Sequence, residues 1–114
     1  MSETDVSQAI RLHLGMNPNV LLWRNNVGAL PDRDGRLVKY GLGPGSSDLI
    51  GVVTDKGIGI FLAIETKKPG ARTDPKRLEA QKNFIRVVRA AGGRAGFASN
   101  IQEAEDIIYG RNKI

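Results

Sequence analysis

The run DLIGVVTDKGIGIFLAIETK, from Asp48 to Lys67, decides the fold. Leu49 to Thr54 and Ile58 to Thr66 are rich in β-branched and aromatic residues, and Asp55-Lys56-Gly57 between them is turn chemistry, so the run reads as a β-hairpin. If the hairpin closes through a two-residue loop at Lys56-Gly57, Asp55 faces Ile58. Counting outward then brings Asp48 directly opposite Glu65. Directly opposed residues have Cβ atoms ~4.5 to 5.5 Å apart, where like charges destabilise a sheet. Such a pair calls for a compensating cation, and two carboxylates are a suitable set for Mg²⁺, which takes hard oxygen ligands and retains waters. Lys67 lies two residues beyond Glu65 and projects from the same face, beside the metal position. The reading depends on parity, since a loop one residue longer would turn Asp48 to the other face.

Around this hairpin the rest of the chain falls into place. Val6, Ala9, Ile10, His13 and Leu14 recur at helical spacing before Gly15, which predicts a helix from about Ser2 to Leu14. Asn19 to Arg24 (NVLLWR) reads as a buried strand with Trp23 in the core, and Arg36 to Tyr40 as a further strand after an Asp34-Gly35 turn. Gly41 to Ser47 holds three glycines and a proline, so it is a loop leading into Asp48. Asp74 caps a helix with Pro75 at its first position, running to about Ala91 and stopped by Gly92-Gly93. Arg94 to Ser99 is a short strand, and Asn100 with Glu103 caps a last helix, Ile101 to Tyr109. A helix between the third and fourth sheet strands implies an α/β fold with a mixed sheet and helices packed against it.

Size and composition narrow the function. A chain of 114 residues fits one domain, taken as 1–114. The absence of cysteine excludes disulfide frameworks and Cys-based zinc sites, and a single histidine argues against a His-rich metal site. No apolar run approaches the ~20 residues that cross a bilayer, so no membrane partner is expected. The balance of 17 Lys+Arg against 12 Asp+Glu, a net charge of +5 with a pI of about 9.9, suits a nucleic-acid binder. Only six Phe, Trp and Tyr residues occur, which disfavours recognition of single-stranded RNA by stacking. The Gly41 to Gly45 loop lacks the Gly-Lys-Ser/Thr ending of a P-loop, which excludes nucleotide hydrolysis of that type.

Gly45-Ser46-Ser47-Asp48 followed by Ile64-Glu65-Thr66-Lys67 resembles the PD-(D/E)XK nuclease superfamily. The likeness is greatest to its VRR-NUC branch, the virus-type replication-repair nucleases. It extends from the first helix through Trp23-Arg24-Asn25, Gly41 to Gly51, Glu65 to Lys68 and Gln81 to Gly93. Ser47 stands where the superfamily pattern has proline. The resemblance implies a restriction-endonuclease-like core of order αβββαβ, with a four-stranded mixed sheet flanked by helices. It also implies hydrolysis of phosphodiester bonds with Mg²⁺, or Mn²⁺ as a substitute. In that scheme Asp48 and Glu65 bind metal, the Thr66 carbonyl completes the metal shell, and Lys67 takes the lysine role. Glu3, on the stripe with Val6, Ile10 and His13, is the counterpart of the family's first-helix glutamate.

Further candidates surround these. Gln81 lies on the sheet-facing stripe Leu78, Gln81, Ile85, Val88, where a polar side chain needs a partner; it either assists the active site or satisfies a backbone group. His13 reads as a core-edge residue rather than a ligand. Arg24, Asn25, Ser46, Ser47, Lys68, Arg72, Lys76 and Arg77 are the candidate DNA contacts, with solvated surface as the plain alternative. The expected activity is an endodeoxyribonuclease selective for branched DNA such as four-way junctions, in the cytoplasm of a bacterium or a phage-infected host. Its alternative is a non-catalytic DNA-binding module that keeps the fold. Standalone VRR-NUC domains look like dimeric junction-resolving nucleases, and two symmetric cuts suit a homodimer. Val27, Leu30, Val38, Tyr40 and Leu42 are the candidate dimer surface.

Overall fold

The computed structural model describes residues 2–113. Helix α1 (Glu3–Leu14) begins at a capping box in which the Ser2 hydroxyl accepts from the Asp5 amide and the Asp5 carboxylate accepts from the Ser2 amide. Strand β1 (Val20–Arg24) follows, then β2 (Gly28–Pro31), β3 (Leu37–Tyr40), β4 (Leu49–Asp55), β5 (Ile58–Thr66), helix α2 (Pro75–Ala90), β6 (Arg94–Ala98) and helix α3 (Ile101–Ile108). Both later helices start where the capping chemistry places them. Asp74 accepts from the Arg77 amide with Pro75 at the first turn, and Asn100 accepts from the Glu103 amide.

A four-stranded sheet runs β1-β4-β5-β6, antiparallel across the first three strands and parallel between β5 and β6. Period-two alternation divides its side chains between two cores. Leu49, Val53, Leu62 and Ile64 face α1 and α3, meeting Val6, Ile10, Leu14, Ala104, Ile107 and Ile108. Ala63 and Ala95 face α2, meeting Ile85 and Val88. Each fully buried Ile or Leu of this kind contributes about 1.5–3 kcal/mol through apolar burial. Gly51 is required inside β4, since a Cβ there would lie 1.8 Å from the Leu21 carbonyl oxygen of β1. The architecture is α/β with a mixed sheet flanked by helices on both faces, a restriction-endonuclease-like fold. No helix among the described residues is long and apolar enough to cross a membrane.

Two features differ from the sequence reading. The Arg36 to Tyr40 segment does form a strand, but β3 pairs only with β2, making a separate two-stranded hairpin outside the main sheet. Its turn is held by Asp32, whose carboxylate accepts from the amides of Asp34 and Arg36. Trp23, expected in the core, is 53% exposed. In β1 Val20 is buried and Leu22 packs on the α1 side, so Leu21 and Trp23 point to the opposite face. There α2 packs over β5 and β6 and leaves β1 open. With Val27, Leu30, Leu37, Val38, Tyr40 and Leu42 also exposed, the hairpin and the β1 edge carry most of the large apolar surface.

Candidate active site

The β4–β5 hairpin closes with Asp55 opposite Ile58 and runs in register to Leu49 opposite Ile64. The ladder ends there, and Asp48, just outside β4, falls opposite Glu65 when the count is carried one step further. Lys56 (φ 52°) and Gly57 (φ 79°) supply the positive backbone angles of such a turn. Glu65, two residues after Ala63 on β5, therefore faces α2.

Asp48 is tied at three points. Its carbonyl accepts from the Asn25 amide at 2.7 Å, joining it to the end of β1. Its Oδ1 accepts from the Thr66 amide at 2.7 Å and its Oδ2 from the Thr66 hydroxyl. Each oxygen keeps a second lone pair. Glu65 is 4% exposed and its Oε1 accepts from Gln81 Nε2 at 3.3 Å. Gln81, itself 3% exposed, accepts with its own Oε1 from Lys67 Nζ at 2.8 Å. Lys67 also donates to the Thr73 hydroxyl at 2.8 Å, and its ammonium lies 5.8 Å from the centre of the Phe97 ring. The sequence argument that Gln81 needs a partner is met by two ionisable side chains rather than by backbone.

Burial sets the electrostatics. Desolvation raises the Asp48 carboxyl from its ordinary value against the pull of the two Thr66 hydrogen bonds, and the charge of Glu3 raises it further. Glu65 is pushed up to about 8, first by desolvation and then by the Asp48 charge, with Lys67 opposing and Glu3 and Arg77 contributing at longer range. The Asp48 charge thus adds to burial in disfavouring ionisation of Glu65 at neutral pH.

The donor set fits a hard divalent cation. Among the described residues no three His, Cys, Asp or Glu side chains gather closely enough to hold a metal unaided. An ion here would rest on Asp48 and Glu65 and draw its other oxygens from backbone carbonyl, water or phosphate. Mg²⁺ favours that mixture. Glu3 is exposed and lines, with Asp48 and Thr66, a cleft of about 140 Å³ between α1 and the ends of the strands.

The sequence model of the VRR-NUC domain matches residues 1–99. The chain belongs to the VRR-NUC domain family. No curated protein matches it in sequence. The matched span takes in Asp48, Glu65, Lys67 and Gln81 and reaches the end of β6, with α3 beyond it.

The candidate DNA contacts of this VRR-NUC domain divide into two groups. Arg24, Lys68, Arg72, Lys76 and Arg77 are exposed. Asn25, Ser46 and Ser47 are turned inward instead. Asn25 is 8% exposed, spends its amide hydrogens on Ser46 Oγ and the Ser47 carbonyl, and accepts from the Leu42 amide. It clamps the Gly41 to Ser47 loop to β1, a positioning task. Ser46 donates to the Gly43 carbonyl, and the Ser47 hydroxyl is buried without a partner among the described residues. Gly45 (φ 85°) lets the same loop press on α2, where a Cβ would lie 2.9 Å from the Ala80 backbone, next to Gln81. His13 is a core-edge residue, paired with Glu105 of α3.

Sequence reasoning missed three contributors to the VRR-NUC site. The Thr66 hydroxyl was invisible because strand alternation aims it away from Glu65; it reaches Asp48 only because Asp48 stands just past the strand end. Thr73 sits in a loop with no periodicity to draw notice. Arg11 lies on α1 outside the apolar stripe and reads as solvated until the cleft is seen.

Proposed function

We propose that this chain is an endodeoxyribonuclease dependent on Mg²⁺ or Mn²⁺, selective for branched DNA such as four-way junctions, and that it works as a homodimer. The observation that carries the reading is the joining of Glu65, Gln81 and Lys67 into one hydrogen-bonded chain beside Asp48. Membership in a nuclease family supports it.

Asp48 and Glu65 are the ligands of the ion, with the Thr66 carbonyl as the third protein donor and Glu3 at the cleft mouth. A divalent ion held there supplies Lewis-acid polarisation of the phosphodiester and a more acidic water. Thr66 orients Asp48 through both carboxylate oxygens. Gln81 and Thr73 hold the Lys67 ammonium where it orients the attacking water or offsets the negative charge that grows on phosphorus. Lys68, Arg72, Lys76 and Arg77, beside the site in sequence, and Arg24 at the end of β1 carry contacts to the sugar-phosphate backbone. Their charge attracts DNA without reading bases, so sequence preference is weak and salt dependence steep.

The apolar exposure of the β2–β3 hairpin and of Trp23 motivates the dimer. A two-fold pair presents two cleavage sites to a junction of matching symmetry.

Labelled duplex, flap, single-stranded and four-way-junction DNA, incubated with the purified chain in Mg²⁺, Mn²⁺ or EDTA, tests activity and substrate together. Junction cleavage is expected in either metal, with none in EDTA and none by Lys67→Ala. Tight DNA binding with no cleavage in any metal would favour a non-catalytic module.

A further inference from the structure

The cleft beside Asp48 has a wall on α1 whose residues beyond Glu3 have no part in the proposed reaction. Along α1, Glu3, Ser7 and Arg11 recur at four-residue spacing and all line it, so one helical face forms its wall. With a rise of 1.5 Å per residue the face spans about 12 Å, which is roughly three nucleotides at ~3.4 Å each along a duplex strand. Gln8 also lines the wall. Across from it stands Arg24, which pairs with Leu49 in the β1–β4 register and so sits one step from Asp48. Alternation from Val20 and Leu22 turns Arg24 toward α1, and its side chain lines the same cleft.

The lining carries both signs of charge. Glu3 and Asp48 bring carboxylates, whereas Arg11 and Arg24 bring two guanidinium groups, and the Ser7 hydroxyl and Gln8 amide share the lining. Among the described residues neither arginine takes part in an ion pair or a side-chain hydrogen bond, although other exposed arginines, Arg86 and Arg111, have found acidic partners. Two arginine cations lining one cleft from its facing walls, with donors free, offer forked donors to an anion between them. Their position next to the carboxylate pair selects the anion.

We infer that Arg11 and Arg24 form a phosphodiester subsite that holds the DNA strand on the α1 side of the reacting phosphate. The inference rests on the nuclease reading for the identity of the strand. Lys68, Arg72, Lys76 and Arg77 lie after β5 and at the start of α2, so they form a second bank on the other side of Glu65. A strand crossing the carboxylates meets cations on both flanks.

Fluorescence anisotropy with labelled junction DNA in Ca²⁺, repeated over a range of salt, tests it for wild type, Arg11→Gln, Arg24→Gln and the double variant. Lys56→Gln is the control, because Lys56 sits in the turn at the far end of β4 and β5 from Glu65. Each arginine variant should bind several-fold more weakly, and the slope of log affinity against log salt should shrink by about 0.9 per lost contact. The control should match wild type. Arginine variants with wild-type affinity and slope would overturn the subsite, whatever the cleavage result. Weakened binding by the variants together with a wild type that cuts nothing in Mg²⁺ would uphold the subsite and remove the nuclease reading instead.

Discussion

Replacing Gln81 with methionine keeps the length and nearly the volume of a side chain only 3% exposed, while deleting both of its polar ends. The bond from Lys67 Nζ, at 2.8 Å, is short and charge-assisted; the one to Glu65, at 3.3 Å, is long. Hydrogen bonds to charged groups contribute about 1.5–3 kcal/mol. For stability most of that is recoverable, because Lys67 is half-buried, keeps its bond to Thr73 and can take up water. A cost of about 1 kcal/mol remains, which lowers the melting temperature by roughly 4–8 °C in a domain near this size. For catalysis it is not recoverable, since a lysine fixed at one point instead of two no longer holds its charge at the reacting phosphate. The same 1.5–3 kcal/mol expressed in the barrier slows cleavage roughly tenfold to a hundredfold. Single-turnover cleavage of a labelled junction, run beside thermal denaturation, separates the two. Wild-type cleavage by a folded Gln81→Met protein would refute the positioning argument, and so would a rate loss fully accounted for by unfolding.

Thr73→Val should likewise slow cleavage with little change in DNA affinity, and Thr73→Ser should restore the rate, because only the hydroxyl reaches Lys67; failure of serine to rescue counts against the contact. The metal-free protein should be more stable in acid than in mild alkali. Glu65 ionises near 8 when folded and near 4.5 in its ordinary state, so its protonated form favours the native chain below about 4.5 and that contribution is lost as pH rises through about 8. Mg²⁺ should reverse the trend by replacing the proton, and melting temperatures in EDTA that climb over that range would contradict it. Leu30→Lys with Val38→Lys, both on the exposed hairpin, should convert a dimer to monomer in light scattering at micromolar concentration; a wild type already monomeric would remove the dimer from the account.

Much of the site could be read before the structure because a two-residue hairpin loop converts sequence distance into register. Once Lys56-Gly57 is the turn, Asp48 must oppose Glu65, and alternation carries Lys67 to the same face. Asp74-Pro75 and Asn100 were equally legible, since capping is local chemistry. What escaped was set by tertiary contact. NVLLWR lacks alternation, so nothing in it told that α2 would leave Trp23 uncovered. Gly28 to Pro31 reads as punctuation rather than as a strand, and only its pairing with β3 makes it one. Asn25 looks like any polar residue after a strand until the returning Gly41 to Ser47 loop buries it. Thr73 and Arg11 gain their meaning only from what α2 and the cleft bring beside them.

Asp48 and Glu65 are proposed to hold together the divalent ion with which this domain cuts DNA. Cleavage of one labelled junction by wild type and by Glu65→Gln, followed over a titration of Mg²⁺, tests it most directly. The substitution keeps the size of the buried side chain and removes its capacity for charge. The wild-type rate should rise with Mg²⁺ to saturation and vanish in EDTA, and the Glu65→Gln rate should stay at background throughout. Cutting by Glu65→Gln at the wild-type rate, or wild-type cutting undiminished in EDTA, would contradict it.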